Sequence, residues 1–587
     1  MTNHRIAAGP TLGPQSRTAA LAAMTEQTLD VLVIGGGVVG AGAALDAAGR
    51  GLRVGLVEAR DLGSGTSSRS SKLVHGGLRY LKQLHFPLVF EALRERSLIL
   101  DTLCPHLARP VEFVYPLERP VIDRAYVGAG VAVYDILGAG KGVPSHHRHL
   151  SRRQTLATFP GAKKDTVRGG LKFYEGQLDD ARHTMMLART AAAHGAAVAT
   201  SARVTGFLRD GDRVVGAQVT DLETGKRLDI RAKRIINAAG VWTDELQAML
   251  GSKGRFRVQA SKGVHILVPR DRIDSRTGLI TETETSLLFI IPCPWSDDFW
   301  IIGTTDTSWN LDLAHPAASQ ADIQYVLGQA NRLLENPLTT ADVVGVYAGL
   351  RPLLAGESDQ TSSLSREHAV VTVAPGLVVV AGGKYTTYRV MAKDAVDEAV
   401  KDLPGPVPPS CTERLPLVGA DGYPALWNSR TTIAADTGLD ARCVQHLLGR
   451  YGSAVQDILE LIRTRPDLGE PLASAPAYLR AEAYYAVTGE GALHLDDILA
   501  RRLRVSVDTW HRGVDTAPEV AQLVAPLLGW DDATVAREIE HYRARVTAER
   551  ESQTQPTDQT ADSARLGAPD VRHTAIPAVP ATPAPQG

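Results

Sequence analysis

The apolar positions of this chain fall into two regimes. Up to about residue 400, short apolar runs ending in glycine alternate with stretches of helical spacing. From about residue 409 the β-branched runs thin out and helical spacing takes over. The clearest example of the first regime is residues 30–58, DVLVIGGGVVGAGAALDAAGRGLRVGLVE. An apolar strand runs into Gly35, Gly37 and Gly40, a helical pattern follows, and a second apolar run ends on Glu58. This predicts a βαβ dinucleotide-binding unit. Gly35 permits the tight turn, Gly37 lets the backbone approach a pyrophosphate, and Gly40 allows close helix–strand packing. The helix N-terminus offers N–H groups to phosphate. Glu58 is the acid that accepts from a ribose 2′-OH and repels a 2′-phosphate.

Further elements follow from the same patterning. Residues 179–194, DDARHTMMLARTAAAH, predict a helix capped by Asp179 and closed by Gly195. Strands are predicted over 197–238, punctuated by the turn signals RDGD and ETGK, and RIINAAG (234–240) carries a strand into a tight turn at Gly240. LVVVAGGK (377–384) repeats the strand-to-glycine pattern, and 385–400 reads as a helix. Helical spacing over 444–464, 477–487 and 520–545 predicts a separate, mainly helical C-terminal domain. Residues 1–27 read as a disordered lead, within which Met24 is an alternative start. The Pro- and Ala-rich residues 551–587 read as a disordered tail.

Composition narrows the picture. A chain of 587 residues exceeds one hydrophobic core, so two or three domains are expected. With 44% hydrophobic and 22% charged residues and a net charge of −2, it has ordinary globular composition and no electrostatic case for nucleic acid. Cys104, Cys293, Cys411 and Cys443 are scattered without metal spacing, which reads as reduced thiols in a cytoplasmic setting and no metal site. No apolar run reaches about 18 residues, so membrane contact would be peripheral.

Two further motifs bear on the dinucleotide. TSSRSSK (66–72), followed by LVHGGLRYL (73–81), supplies hydroxyls and glycines suited to an extended segment along a pyrophosphate and ribityl chain; a solvated Ser-rich loop is the alternative. Gly382, Gly383 and Lys384 open a helix more than three hundred residues later. Its positive end, aimed at a flavin N1–C2=O edge, would stabilise the reduced anionic flavin, which favours FAD over NAD; a helix simply capped by Gly-Gly is the alternative.

TSSRSSKLVHGGLRYL, KGVHILVP (262–269), IIGTTD (301–306), AGLRPL (348–353) and GGKYTTYR (382–389) occur in that order. Together with the glycine fingerprint they resemble the respiratory, membrane-associated, FAD-dependent glycerol-3-phosphate dehydrogenases, over about residues 30–550. The resemblance implies an α/β FAD-binding domain of glutathione-reductase-like Rossmann type, an antiparallel-sheet substrate domain and an all-α C-terminal cap. The FAD part would comprise about 28–115, 170–245 and 343–400, the substrate part about 116–169 and 246–342, and the cap 409–550. Cofactor contacts are expected from Gly35, Gly37, Gly40, Glu58, Thr66, Ser67, Ser70, Ser71, Lys72, Leu73, His75, Gly76, Gly77, Gly240, Gly383, Lys384 and Thr386. Substrate contacts are expected from Arg79, Tyr80, His265, Arg351 and Lys384, with Arg351 as the phosphate fork and Arg79 beside it. His265 is the candidate base for the substrate hydroxyl proton, and a core histidine is the alternative. Asp306 would orient a donor or cap a turn.

The implied reaction is oxidation of glycerol 3-phosphate by hydride transfer to FAD. A membrane quinone would be the acceptor, reached at the cytoplasmic face through residues 119–141, for which a buried helix of the substrate domain is the alternative. An oxidase passing electrons to O₂, an amino-acid or hydroxy-acid oxidoreductase of the same fold, and a non-catalytic flavin scaffold remain open. A homodimer is also left open.

Overall fold

The structure is a computed structural model that describes residues 11–77, 85–117, 147–251, 257–284, 286–354, 368–568 and 570–573. Arg79, Tyr80 and residues 119–141 lie outside this set.

The fingerprint builds the centre of the first sheet. Leu29–Ile34 lies between Val54–Val57 and Arg227–Asn237, all parallel, and Ala197–Ala199 and Leu377–Gly382 extend the sheet on either side. His368–Ala374 closes one edge antiparallel. Arg227–Asn237 serves two ladders: its first half pairs antiparallel with Arg213–Asp221 and its second half enters the parallel sheet. The helix Val38–Gly49, VVGAGAALDAAG, packs against the helices Asp180–Ala193 and Tyr388–Val400. Its small residues make that approach possible: a Cβ on Gly42 would stand 3.1 Å from the Tyr388 ring. The helix over 180–193 is capped by Asp179, whose carboxylate accepts from the Arg182 amide, and is followed by Gly195 at φ +92°, as its patterning predicts.

The second sheet is antiparallel except where Gly278–Glu282 meets Ala108–Leu117. Val258–Pro269 lies at its heart, flanked by Phe299–Gly303 and Gly345–Leu354, with the helix Gln320–Asn331 packed on one face. This redraws the expected division of the chain. Leu73–Val74, Ala108–Leu117, Gly169–Leu178 and Gly345–Leu354, assigned from sequence mainly to the FAD part, all join the second sheet. Their apolar runs fit either sheet, and only long-range pairing decides.

The C-terminal region is helical, including Ala441–Tyr451, Val455–Thr464, Ala517–Leu528 and Asp532–Ser552. The stretch expected to be helical over 477–487 begins as a strand, Ala475–Leu479, before the helix Arg480–Thr488. The region forms the expected helical C-terminal domain, and buried ion pairs tie it to the rest. Arg182, fully buried, donates to Glu490 at 2.6 Å and to the Arg450 carbonyl at 2.8 Å. Arg502 holds Asp61, and Arg504 holds Asp179 and Asp180.

The described parts of both tails depart from expectation; residues 1–10 and 574–587 lie outside the described set. Pro14–Glu26 is a helix, not a disordered lead, and Met24 is fully buried in the core it shares with the first sheet. Arg17 secures it by donating to the Thr200 and Ser201 carbonyls and pairing with Asp221. At the other end, the helix Asp532–Ser552 runs past the expected boundary and is followed by a second helix, Asp558–Leu566. Asp558 pairs at 2.5 Å with Lys262, and Arg572 pairs at 2.8 Å with Asp497. Weak periodicity in the first segment and Pro-rich composition in the second made them read as disordered, but apolar burial and ion pairs hold them. Arg17→Ala is expected to cost about 2–3 kcal/mol, because it leaves Asp221 buried without its cation; urea unfolding followed by circular dichroism measures it.

Candidate active site

A cavity of about 860 Å³ opens between the two sheets, within the range of cofactor sites. Its wall includes Gly35 and Gly37 of the early turn, Gly382, Gly383 and Lys384 of the late one, and His265 and Arg351 of the second sheet. Elements more than three hundred residues apart therefore meet on one hollow.

At the glycine turn, Gly35 sits at φ +108°, and a Cβ there would come within 2.7 Å of the Ala238 carbonyl oxygen. Gly40 does not line the cavity. It packs so tightly that a Cβ would fall 1.9 Å from the Gly35 carbonyl oxygen. The helix starting at Val38 has no acid in its first turn, so its positive end faces the cavity unneutralised by its own side chains. Ser67 Oγ accepts from the Val38 amide at 2.9 Å. Glu58 accepts from the Gly36 amide at 2.6 Å and the Arg60 amide at 2.8 Å. Burial pushes its carboxyl up, and those two amides oppose the shift. Gly240, at φ +58°, lines the cavity with nothing within 4 Å of a Cβ, so its backbone is open to close approach.

The Ser-rich loop is stitched to distant elements. Thr66 Oγ1 donates to the Leu350 carbonyl at 2.5 Å, and the His75 amide donates to Thr386 Oγ1 at 3.1 Å. Thr66, Ser67, Ser70, Ser71, Leu73, His75 and Gly77 line the cavity; Gly76 and Thr386 do not. Lys72 also turns away from it. Its buried ammonium pairs with Asp180 at 2.6 and 2.7 Å and with the Ser68 carbonyl at 2.6 Å, so its expected cofactor contact is replaced by a structural ion pair. The partner is 108 positions away, beyond local pattern reading.

Strand periodicity explains the second wall. Ser261, Gly263 and His265 alternate along one face of Val258–Pro269, opposite Arg351, Gly349 and Tyr347 in the antiparallel register. The glycines make room for the two functional side chains. A Cβ on Gly263 would lie 2.5 Å from Arg351 Nη2, and one on Gly303 would lie 2.3 Å from the His265 ring. Arg351, 23% exposed, donates to Thr304 Oγ1 at 3.2 Å and the Thr305 carbonyl at 3.1 Å. Asp306 lies 3.6 Å from the guanidinium and accepts from Ser261 Oγ, which favours the orienting role over the turn cap. His265 is 3% exposed, with Nε2 at 2.9 Å from Ser71 Oγ and Nδ1 buried without a hydrogen-bond partner. Burial, reinforced by Arg351 and Lys72, holds its imidazole well below the ordinary value, so it is neutral at neutral pH.

Sequence reading missed residues of the wall, Trp242 and Arg60, and one that backs it, Tyr347. Tyr347 stacks on His265 with ring centres 4.8 Å apart, and its hydroxyl donates to the Ser70 carbonyl at 3.1 Å. It shares the strand period of Arg351 in GVYAGLRPL, which was the available signal. Trp242 and Arg60, 5.4 Å apart in a cation–π contact, line the same cavity from turns whose patterning carried no such signal.

A Rossmann sheet and a mixed sheet that close two glycine turns and a cationic wall on one hollow define a flavin-dependent oxidoreductase. The model of the FAD dependent oxidoreductases matches residues 30–397, and that of the C-terminal domain of alpha-glycerophosphate oxidase matches 410–535. The chain is 56% identical over 569 residues to glycerol-3-phosphate dehydrogenase 2 of Mycobacterium tuberculosis, covering 97% of each. To glycerol-3-phosphate dehydrogenase of Mycobacterium leprae it is 57% identical over 561 residues, covering 96% of this chain and 95% of the other. The solved glycerol-3-phosphate dehydrogenase of Bacillus halodurans, complexed with FAD, superposes with a TM-score of 0.76 at 30% identity, over 91% of this chain and 98% of that one. The chain belongs to the FAD-dependent glycerol-3-phosphate dehydrogenase family.

Proposed function

We propose that this protein oxidises sn-glycerol 3-phosphate to dihydroxyacetone phosphate and passes the electrons to a membrane quinone. The observation that carries the reading is that Arg351 and His265, on adjacent strands, both line the cavity that Gly37 and Gly383 also line. The cavity fits FAD: the open backbone at Gly240 and the unneutralised helix end at Val38 suit a pyrophosphate. Glu58 would hold the adenosine ribose, and the loop from Thr66 to Gly77 would run along the ribityl chain. Gly383 and Lys384 would face the flavin ring. When bound, the flavin accepts the C2 hydrogen of the alcohol as hydride at N5.

The rest of the reaction belongs to the chain's own residues. Arg351 grips the phosphate, which carries roughly two negative charges at neutral pH. Lys384 adds charge on the opposite wall, and Arg79 and Tyr80 are assigned to the same pocket by family likeness alone. His265, neutral and held by Ser71 and Tyr347, takes the proton from the 2-hydroxyl. Support for work at a membrane surface comes from Phe86 and Phe90, 44% and 47% exposed on successive turns of the helix Phe86–Leu98. Among the described residues, no helix is long and apolar enough to cross a membrane.

Anaerobic addition of glycerol 3-phosphate to the FAD-loaded protein is expected to bleach the flavin absorbance within turnover time. Persistent colour would overturn the substrate assignment. Re-oxidation rates with a soluble quinone analogue and with dissolved oxygen then choose the acceptor; faster re-oxidation by oxygen would make the protein an oxidase.

A further inference from the structure

A second hollow, about 70 Å³ against about 860 Å³ for the flavin cavity, lies where three distant parts of the chain meet. These are the loop at Ser68 and Arg69, the helix Asp532–Ser552, and the tail helix Asp558–Leu566; Trp295, residues 315–318 and the strand Gly345–Leu354 help to complete the wall. Its wall is rich in cations. Some are already matched: Lys72 and Arg504 by Asp180, and Arg501 by Asp61 and Asp497. Arg69, Arg545 and Arg565 are not balanced in this way. Arg69 Nη1 donates to the Ala314 carbonyl at 3.2 Å, a neutral acceptor. Arg545 reaches Asp496, an acid that Arg501 also holds at 2.7 Å. The Arg565 side chain makes no hydrogen bond or ion pair among the described residues, although the residue is 5% exposed.

Several donors on this wall are orphaned: Arg565 Nη1, Arg545 Nε and His315 Nδ1 are buried without partners. The acids facing the cluster are Glu549 on the wall itself, and Asp312 and Asp570 behind it. Asp570 is engaged by Arg60 at 3.3 Å and lies 3.6 Å from His315. Burial, then repulsion from Arg545, Arg501 and Arg565, lowers Arg69 to about 9; burial and Arg565 lower Arg545 to about 10. Three guanidiniums that share Glu549, with Asp496 divided between Arg545 and Arg501, are left short of negative charge, which is costly where they are buried, and an anion in the hollow would reduce the cost.

We propose that this hollow binds one tetrahedral oxyanion, inorganic phosphate in neutral solution, between Arg69, Arg545 and Arg565. The volume takes a small ion and excludes a cofactor. Planar guanidinium forks are the side chains best matched to such an ion. The site is linked to the catalytic wall, because Arg69 lines both hollows and Ser71, two residues on, holds His265 at 2.9 Å. Oxyanion binding would pin the tail helix to the Ser-rich loop.

The test is calorimetric titration of inorganic phosphate into the FAD-loaded full chain at fixed ionic strength. It is done in an Arg351→Ala background, or with saturating glycerol 3-phosphate should that variant not fold, so that the substrate cavity does not report. One phosphate is expected to bind per chain. Arg565→Ala is expected to weaken it about tenfold or more, with Arg565→Lys intermediate. In phosphate-free buffer, Arg565→Ala is expected to raise Tm, because it removes an unmatched buried charge. The proposal is overturned if no phosphate binds at millimolar concentration, or if binding is unchanged by Arg565→Ala. It is equally overturned if Arg565→Ala lowers Tm without phosphate, since Arg565 would then be an ordinary structural contact.

Discussion

Arg351→Ala is expected to raise the KM for glycerol 3-phosphate about a hundredfold, with FAD content and flavin absorbance unchanged. The magnitude follows from removing the fork of a charge-assisted, partly desolvated phosphate contact, which costs about 2–5 kcal/mol at tenfold per 1.4 kcal/mol. The separation from FAD content follows from the fold. The strand Gly345–Leu354 is held by its backbone ladder to Val258–Pro269, and Asp306 keeps its bond from Ser261 when the guanidinium is gone. Arg351→Lys is expected to recover part of the affinity, since a point charge remains but the bidentate geometry does not. Steady-state kinetics with flavin quantitation checks both variants. An unchanged KM would remove Arg351 from substrate binding, and loss of flavin would assign it to the cofactor or the fold.

His265→Ala is expected to slow flavin reduction by glycerol 3-phosphate about 10²- to 10⁴-fold, the usual range for a positioned base. Its pH signature has a definite sign. Because the folded imidazole sits well below its ordinary value, it remains a competent acceptor as pH falls through 6.5. An acid limb of kcat/KM near pH 6 would then belong to the second ionisation of the substrate phosphate, and the limb due to His265 would lie lower. The variant should keep the first and lose the second. The same depression makes His265 a stability liability in acid: below about pH 6.5 the unfolded chain takes up a proton that the folded one refuses, so this contribution to stability falls as pH falls. Stopped-flow reduction across pH measures the catalytic part, and an unaltered rate would leave His265 as a core residue.

Much of this arrangement is legible along the chain because it is local or periodic. Gly35, Gly40 and Glu58 announce their turn, their packing and their strand end in one stretch of sequence. Gly383 and Lys384 do the same for the closing turn. His265 and Arg351 can be placed on a common face once their strands are known to pair, because Ser261, Gly263 and His265 keep a period of two against Arg351, Gly349 and Tyr347. What escaped was decided by charges that meet across long separations. Lys72 looked like part of a phosphate loop until Asp180 claimed it. Residues 14–26 lack a clear period and 558–566 lack hydrophobicity, yet Arg17 and Asp558 each find a buried partner of opposite sign. The partition of strands between the two sheets was hidden for a related reason: an apolar run such as Ala108–Leu117 carries no mark of which sheet it will join.

The pair between Asp558 and Lys262 has a consequence for how the enzyme comes into being. Lys262 stands next to Ser261 in the substrate wall and is fully buried, with Asp322 and Asp558 as its two counter-charges. The second of these is made 296 positions after Lys262 itself, so until then the ammonium has Asp322 alone. A change at Asp558 would therefore be felt in the strand Val258–Pro269, which carries Gly263 and His265, although the helix Asp558–Leu566 lies far from both in sequence.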